Sequence, residues 1–202
     1  MKRFIPLVAL LAVPFSALAS EGVSYTYVEA GYAASSIDNG GPDADGWAVN
    51  GSYAINDSFH VYGGYSGQKT DDFDSPVGRV DGVDIDQWNV GGGYRYAINP
   101  NLDLLARVGY QKADTDDVGI AGANVLGIDR DGWNVETGVR GAMNEYLEGY
   151  ALAGYEDYDR ADGEFYARLG AQVKFNDSWG INGEVKYVDD YVAYFVGPRM
   201  SF

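Results

Sequence analysis

Alternating apolar and polar residues predict an all-β fold, a closed, antiparallel, up-and-down transmembrane β-barrel of ten strands. Three observations support this prediction. The final strand places an apolar residue at every second position up to Phe202, and strand-turn-strand units recur along the chain. After residue 20, no apolar stretch approaches the length of a membrane-spanning helix. Only helices and closed barrels satisfy all their backbone hydrogen bonds inside a membrane, so these strands must close into a barrel if the chain crosses one.

The N-terminus has the pattern of a secretory signal peptide. Two basic residues precede an apolar run over residues 4–15, and Ala17 and Ala19 supply the small side chains that a signal peptidase reads. A membrane anchor is the alternative, but the apolar run is too short to span a bilayer. We therefore predict a cleaved signal peptide over 1–19 and an exported barrel domain over 20–202.

The overall charge excludes one class of function. The chain has 14 basic and 30 acidic residues, and removal of the two basic residues of the signal peptide changes the formal charge from −16 to −18. Proteins that bind nucleic acids need a basic surface, so we expect no nucleic-acid partner. The sequence has no cysteine, and we therefore expect no disulfides, thiol chemistry or lipoprotein anchor.

One hairpin unit repeats along the chain. An Asp-x-Asp-x-Trp sequence ends at Trp47, Trp88 and Trp133, which lie 41 and 45 residues apart, and a weaker copy ends at Phe165. An alternating strand, a short turn with a central Asn and a second alternating strand follow each copy. Propeller blades also recur at about 40 residues, but each blade needs four strands and these units have room for two.

This pattern predicts ten strands, with eight as the alternative if the first or last hairpin is misassigned. The predicted strands are 23–34, 46–55, 59–70, 84–98, 102–113, 128–142, 146–158, 164–175, 179–188 and 191–202. The turns with a central Asn are short, and the connections at the other end include the three longest. In bacterial outer-membrane barrels, short turns face the periplasm and long loops face the cell exterior.

Charged residues share one face of each strand. In the predicted strand 164–175, Glu164, Arg168 and Lys174 alternate with a face that is apolar throughout. A charge that faces lipid at mid-bilayer costs about 2–4 kcal/mol, so the charged face is predicted to line the lumen. The predicted lumen charges, seven acidic and seven basic, are Glu29, Arg95, Asp103, Arg107, Glu136, Arg140, Glu148, Glu156, Glu164, Arg168, Lys174, Glu184, Lys186 and Arg199.

Two alternatives remain open for this pattern. A soluble lipocalin-like barrel alternates in the same way with its apolar face inward, although the signal peptide and the terminal Phe202 favour the membrane form. The lumen charges predict either a plug of ion pairs or a charge-lined conduit. We favour the plug because small barrels fill their interiors with side chains and because buried charges are tolerated when they are paired.

The sequence shows no catalytic constellation. The single histidine, His60, is predicted inside the barrel near a periplasmic turn, whereas known barrel proteases and acyltransferases place a histidine at the outer mouth. We expect no enzymatic activity and no tightly bound cofactor. The acidic outer loops predict either simple solvation or weak binding of Ca²⁺ or Mg²⁺ between the protein and lipopolysaccharide phosphates. The candidate ligands are Asp43, Asp45, Asp84, Asp86, Asp129 and Asp131.

Five segments carry a family resemblance. They are SYTYVEAGY at 24–32, FHVYGGYSGQKTDDF at 59–73, EGYALAGYEDY at 148–158, GEFYARLGAQVKFN at 163–176 and FVGPRMSF at 195–202. These segments resemble the Ax-type outer-membrane proteins of xanthomonads, small barrels whose expression is tied to diffusible-signal-factor communication. The resemblance implies an outer-membrane location and a link to quorum sensing, and it carries no catalytic residues.

The final strand resembles the signal that the barrel-insertion machinery reads. The residues that carry this resemblance are Tyr194, Val196, Met200 and Phe202. We therefore expect this machinery, periplasmic chaperones, outer-membrane lipid and lipopolysaccharide as partners. The expected function is non-enzymatic and serves envelope structure, surface interaction or adhesion. A narrow channel for ions or small solutes is the alternative.

Overall fold

The computed structural model describes residues 23–37, 41–75, 78–80, 82–115, 118–120, 123–125, 129–159 and 161–202. The predicted signal peptide lies outside the described residues, so its cleavage stays a prediction. Within the described part of the chain, no helix is long and apolar enough to cross a membrane.

The chain folds into a closed antiparallel barrel. The strands are β1 (Tyr27–Ile37), β2 (Ala44–Ala54), β3 (Phe59–Thr70), β4 (Phe73–Ser75), β5 (Gly78–Val80), β6 (Asp84–Asn99), β7 (Leu102–Thr115), β8 (Val118–Ile120), β9 (Ala123–Val125), β10 (Asp129–Ala142), β11 (Leu147–Tyr158), β12 (Glu164–Lys174), β13 (Trp179–Val188) and β14 (Tyr191–Ser201). All except β4, β5, β8 and β9 belong to the barrel, which closes where β1 pairs with β14. The predicted all-β barrel of ten strands is confirmed.

The first strand starts later than predicted. β1 begins at Tyr27 rather than at residue 23, because residues 23–26 turn into the end of the lumen instead of extending the strand. Val23 and Tyr25 are buried there, and the Tyr25 hydroxyl donates a hydrogen bond of 2.9 Å to Asp103. The apolar parts of this segment pack against Leu105. The segment therefore adds side chains to the lumen rather than to the wall.

Two long connections contain hairpins that the sequence pattern did not predict. β4 pairs with β5 and β8 pairs with β9, each over three residues per strand. β5 and β8 also lie next to each other. Three-residue strands are too short to show the alternation on which the sequence prediction relied, which explains why both hairpins were missed.

The four turns at the opposite end follow the predicted pattern. The Asn56 side chain accepts hydrogen bonds of 2.9 Å from the backbone N–H groups of Ser58 and Phe59, and Asn176 repeats this arrangement. Asn99 and Asn144 each accept one such bond from the residue two positions later. Asn is favoured in tight turns because its side-chain oxygen holds the following backbone in this way.

Side chains alternate between the wall's outer and inner faces. On β12, Phe165 is 80% exposed whereas the next residue, Tyr166, is 4% exposed. Aromatic side chains contact one another on the outside near the long loops, where the ring centres of Trp47 and Tyr65 are 5.5 Å apart and those of Trp88 and Tyr110 are also 5.5 Å apart. Paired aromatic rings at strand ends form the interfacial belt expected of a membrane barrel.

Candidate functional site: the charged lumen

The lumen is filled by ion pairs that join neighbouring strands. Near the short turns, Glu148 of β11 accepts a hydrogen bond of 2.6 Å from Arg140 Nε of β10 and lies 3.2 Å from Lys174 Nζ of β12. Glu148 is only 1% exposed, so its charge needs both partners. Arg95 and Asp103 form a second pair at 3.2 Å. These pairs join adjacent strands at the short-turn end of the lumen.

The middle of the lumen is organised around Glu136. This carboxylate forms ion pairs with Arg107 and Arg168, the latter at 3.5 Å, and accepts a hydrogen bond of 2.9 Å from the Tyr166 hydroxyl. Arg168 also pairs with Glu184 at 3.4 Å. A chain of alternating charges therefore extends across the barrel, from β7 through β10 and β12 to β13.

A further pair spans the seam where the barrel closes. Glu29 of β1 faces Arg199 of β14 in the strand register, and Arg199 Nε donates a hydrogen bond of 2.7 Å to it. Asn50 Nδ2 donates a second bond of 3.2 Å to the same carboxylate. The Arg199 guanidinium also lies 4.1 Å from the centre of the Tyr27 ring, within the range of a cation–π contact. The first and last strands are thus joined by side chains as well as by backbone.

Nearer the long loops, Glu156 is the shared acceptor. It receives hydrogen bonds from Lys186 at 2.6 Å, from the Tyr191 hydroxyl at 3.1 Å and from Gln111 at 3.1 Å. Among the described residues, Glu164 is the one predicted lumen charge that no ion pair includes. Glu164 begins β12 directly opposite Glu156 in the register, so its nearest strand partner is another acid rather than a base.

The sequence pattern missed the tyrosines that complete these clusters. Tyr150 donates a hydrogen bond of 2.5 Å to Glu184, and Tyr25, Tyr166 and Tyr191 supply hydroxyls to other lumen acids. Tyr150 and Tyr166 lie at even-numbered positions of their strands, as do the predicted lumen charges beside them. This alternation is the sequence feature that could have placed both tyrosines in the lumen.

A cavity of about 100 Å³ remains between the middle and seam clusters. His60 lines it and is 3% exposed, which agrees with the predicted interior position. No described residue accepts from or donates to the Nδ1 atom of His60. The Tyr62 hydroxyl also lines the cavity without a hydrogen-bond partner among the described residues. A Cβ at Gly109 would lie 2.6 Å from this hydroxyl, so glycine leaves the space that Tyr62 occupies.

The six aspartates proposed as cation ligands lie at or beside the strand ends near the long loops. Lys69 Nζ is 3.8 Å from Asp84, Lys112 Nζ is 3.9 Å from Asp129, and the Tyr65 hydroxyl donates a hydrogen bond of 2.8 Å to Asp86. No group of three or more metal-ligating side chains occurs within the described ranges. Binding of Ca²⁺ or Mg²⁺ stays a prediction that needs lipopolysaccharide to supply further ligands.

The predicted insertion residues share the outer face of β14. Tyr194 is 44% exposed and Val196 is 49% exposed, Met200 is half-buried, and Phe202 beyond the strand is 71% exposed. The backbone N–H of Phe202 donates a hydrogen bond of 3.0 Å to the carbonyl of Thr26. The terminal residue is therefore held at the seam while its ring projects outward.

Comparisons with known proteins agree with this architecture. The translocator domain of the autotransporter NalP from Neisseria meningitidis matches with a TM-score of 0.53 and 11% identity, covering 90% of this chain and 89% of that one. OprG from Pseudomonas aeruginosa matches with a TM-score of 0.51 and 14% identity, covering 91% of this chain and 99% of that one. At these identities, the likeness establishes the fold alone.

A third solved structure, Ail from Yersinia pestis, is 16% identical with a TM-score of 0.45, and the match covers 89% of this chain and 99% of that one. A comparison with curated proteins found no match. The family model of the outer membrane protein beta-barrel domain matches residues 5–194. This match covers most of the sequence and agrees with the closed barrel, the outward apolar face and the aromatic belt. The chain therefore belongs to the outer membrane protein beta-barrel domain family, and it is a protein of the bacterial outer membrane in contact with lipid and lipopolysaccharide.

Proposed function

We propose that the protein is a non-enzymatic barrel whose lumen is plugged by ion pairs and whose acidic outer surface serves envelope structure, surface interaction or adhesion. The observation that carries this proposal is the cluster around Glu136, in which two arginines and a tyrosine converge on one buried carboxylate. Removal of one partner from a buried ion pair costs about 3–5 kcal/mol because the other charge is left buried without compensation, so we expect these side chains to stay together. A plugged barrel presents its outer surface, not its lumen, to the surroundings.

The surface near the long loops supports the second part of the proposal. All six of the aspartates discussed above lie there. Asp84 and Asp129 form ion pairs with lysines, and Asp45, Asp86 and Asp131 accept hydrogen bonds from tyrosine hydroxyls. Exposed aspartate carboxylates stay hydrated and give this end of the barrel a negative potential. Such a surface favours basic partners or divalent cations and repels anionic polymers.

Single-channel recording in planar bilayers tests the plug. The purified wild-type protein should insert without producing stable conductance steps. A variant with both Glu136→Ala and Arg168→Ala should produce them, because the change removes two long side chains from the middle of the lumen and leaves the lipid-facing surface intact. The matched control is Glu156→Ala with Lys186→Ala, which removes a pair nearer the long loops and keeps the middle closed. Stable steps from the wild type would contradict the plug.

A narrow channel is the second candidate. The cavity of about 100 Å³ in the middle of the lumen favours it, because a path between the clusters would have to pass through this space. Reproducible wild-type steps with a reversal potential that follows a salt gradient would support the channel over the plug.

Several finer assignments remain proposals. Membership of the Ax-type group and a link to quorum sensing are supported by the five sequence segments alone. Recognition by the barrel-insertion machinery and by periplasmic chaperones is supported by the outward apolar face of β14 and by the terminal Phe202. The absence of enzymatic activity is supported by the pairing of the buried lumen acids with arginine, lysine and tyrosine, which leaves them poorly placed for acid-base chemistry.

A further inference from the structure

Three lumen arginines share an unusual feature in the middle of the barrel. Arg107, Arg168 and Arg199 all line the same cavity of about 100 Å³. Each has one buried guanidinium nitrogen that forms no hydrogen bond with a described residue, Nε in Arg107 and Arg168 and Nη1 in Arg199. Arg168 Nε lies 3.5 Å from Glu136 Oε2 but does not form a hydrogen bond with it. A buried polar group without a partner is costly, and the cost is greater for a charged group. Three such donors around one cavity indicate that something within it accepts hydrogen bonds.

The composition of the cavity wall points in the same direction. Its charged side chains are four arginines and three glutamates, and one of the arginines, Arg140, is paired with Glu148 outside the wall. The charged side chains of the wall are Arg107, Arg140, Arg168, Arg199, Glu29, Glu136 and Glu184. The glutamates are already occupied, since each accepts hydrogen bonds or ion pairs from the surrounding arginines, tyrosines or Asn50. The free hydrogen-bonding capacity of the wall therefore belongs mainly to donors.

Two neutral groups add to this set. The Tyr62 hydroxyl faces the cavity without a partner among the described residues, and the Arg107 guanidinium lies 5.1 Å from the centre of the Tyr62 ring. A phenol can donate a hydrogen bond to an anion beside the arginines. Water could also satisfy these donors, but a hydrogen bond from a guanidinium group to an anion is stronger than one to a neutral acceptor.

We propose that the middle of the lumen is a binding site for one small monovalent anion, a halide or a single carboxylate group, held by Arg107, Arg168 and Arg199. The cavity of about 100 Å³ is several times the roughly 10–15 Å³ that one water needs, so it has room for a chloride or acetate ion. We expect the much bulkier gluconate ion to fit poorly. The proposal does not depend on whether the lumen is a plug or a channel, and it places an anion site inside a protein whose overall charge is strongly negative.

Equilibrium unfolding of the refolded barrel in detergent micelles tests the site, with sodium chloride, bromide, acetate or gluconate compared at one ionic strength. Binding to the folded state multiplies the folded-to-unfolded ratio by one plus the anion concentration divided by its Kd. We expect chloride or acetate to raise this ratio relative to gluconate. A larger effect of chloride and bromide identifies a halide site, and a larger effect of acetate identifies a carboxylate site. Equal stability in all four salts would overturn the proposal.

Matched variants locate the effect. Arg107→Gln removes one arginine from the cavity, while Glu136 retains its ion pair with Arg168. We expect this variant to bind the anion at least tenfold more weakly. Lys174→Gln is the control, since it removes a lumen cation that does not line the cavity while Glu148 keeps Arg140. The control should retain the full anion effect. Loss of the effect in both variants, or in neither, would contradict a site at the three arginines.

Bromide diffraction gives a readout that does not require a variant to fold. Crystals of the wild-type protein grown in sodium bromide should show an anomalous peak in the lumen within hydrogen-bonding distance of Arg107 and Arg199. Bromide peaks confined to the outer surface, with the lumen site filled only by water, would overturn the proposal for a halide.

Discussion

A charge placed on the lipid-facing surface tests the orientation of the whole barrel. Leu169 lies near the middle of β12 on its outer face and is flanked there by Ala151 and Val185 of the adjacent strands. Arginine at this position would put a guanidinium into the hydrocarbon layer. The expected loss is about 2–4 kcal/mol if the site lies at mid-bilayer, which lowers the folding equilibrium constant roughly 30- to 1,000-fold.

The same strand supplies the control. Val173 is on the same outer face, four residues closer to the short turns, and is 50% exposed. Four strand residues cover about 13 Å, or about 10 Å along the membrane normal once the strand tilt is included. Because the apolar band is about 25 Å tall, Val173→Arg falls near the interface, where the cost is only about 0–1 kcal/mol.

Reversible urea unfolding in lipid vesicles, followed by tryptophan fluorescence, measures both variants. We expect Leu169→Arg to be less stable than Val173→Arg by about 2–3 kcal/mol, with equal dependence on urea. The two variants share their strand, their face and their new side chain, so only depth distinguishes them. Equal losses at the two positions, or no loss at Leu169, would refute the assignment of this face to lipid.

The remaining predictions concern the lumen, the termini and the rim. Arg168→Leu should cost about 3–5 kcal/mol in the same unfolding assay because it removes a partner from the buried Glu136 and from the half-buried Glu184. Tyr166→Phe should cost about 1 kcal/mol, and equal effects would contradict the ion-pair account. Deletion of Phe202 should lower the amount of heat-modifiable folded barrel in outer membranes, and an unchanged amount would remove its proposed role in insertion. Mass spectrometry of the exported protein should find Ser20 as the first residue, and an intact N-terminus would contradict the predicted cleavage. Calcium should raise the thermal stability of the barrel in membranes that contain lipopolysaccharide, and a sixfold Asp→Asn variant should lose this gain; an equal gain in both proteins would leave the acidic loops as merely hydrated. The six positions are Asp43, Asp45, Asp84, Asp86, Asp129 and Asp131.

The fold was predictable because a membrane barrel imposes a regular pattern. Alternation has a period of two, and a misplaced charge such as Leu169→Arg is expensive, so the sequence must keep its charges on one face. The turns were predictable for a local reason, since Asn56 and its counterparts hold the backbone through their own side chains. Strand boundaries near the start were less predictable, because residues 23–26 carry the same alternation as a strand while their place is decided by contacts with Asp103 and Leu105.

The lumen was predictable only in part. The alternation of side chains along each strand placed the charged residues inside the barrel. Which acid pairs with which base depends on the register between neighbouring strands, and that register is set by the closed barrel as a whole. Arg168 reaches both Glu136 and Glu184 because β12 lies between strands that bring both acids to its level. The cavity beside Arg107 and Arg199 has no sequence signal, because it is the space left after these side chains have packed.

Spin labelling along β12 tests the central claim most directly, that this is a membrane barrel with its apolar face outward. The chain has no cysteine, so single cysteines can be introduced one at a time over residues 165–175 in the protein reconstituted into vesicles. We expect spin labels at odd-numbered positions to collide frequently with oxygen dissolved in the lipid. Cysteines at even-numbered positions should react slowly with the label, and labels there should be shielded from oxygen. The opposite phase, or accessibility without a period of two, would contradict the account.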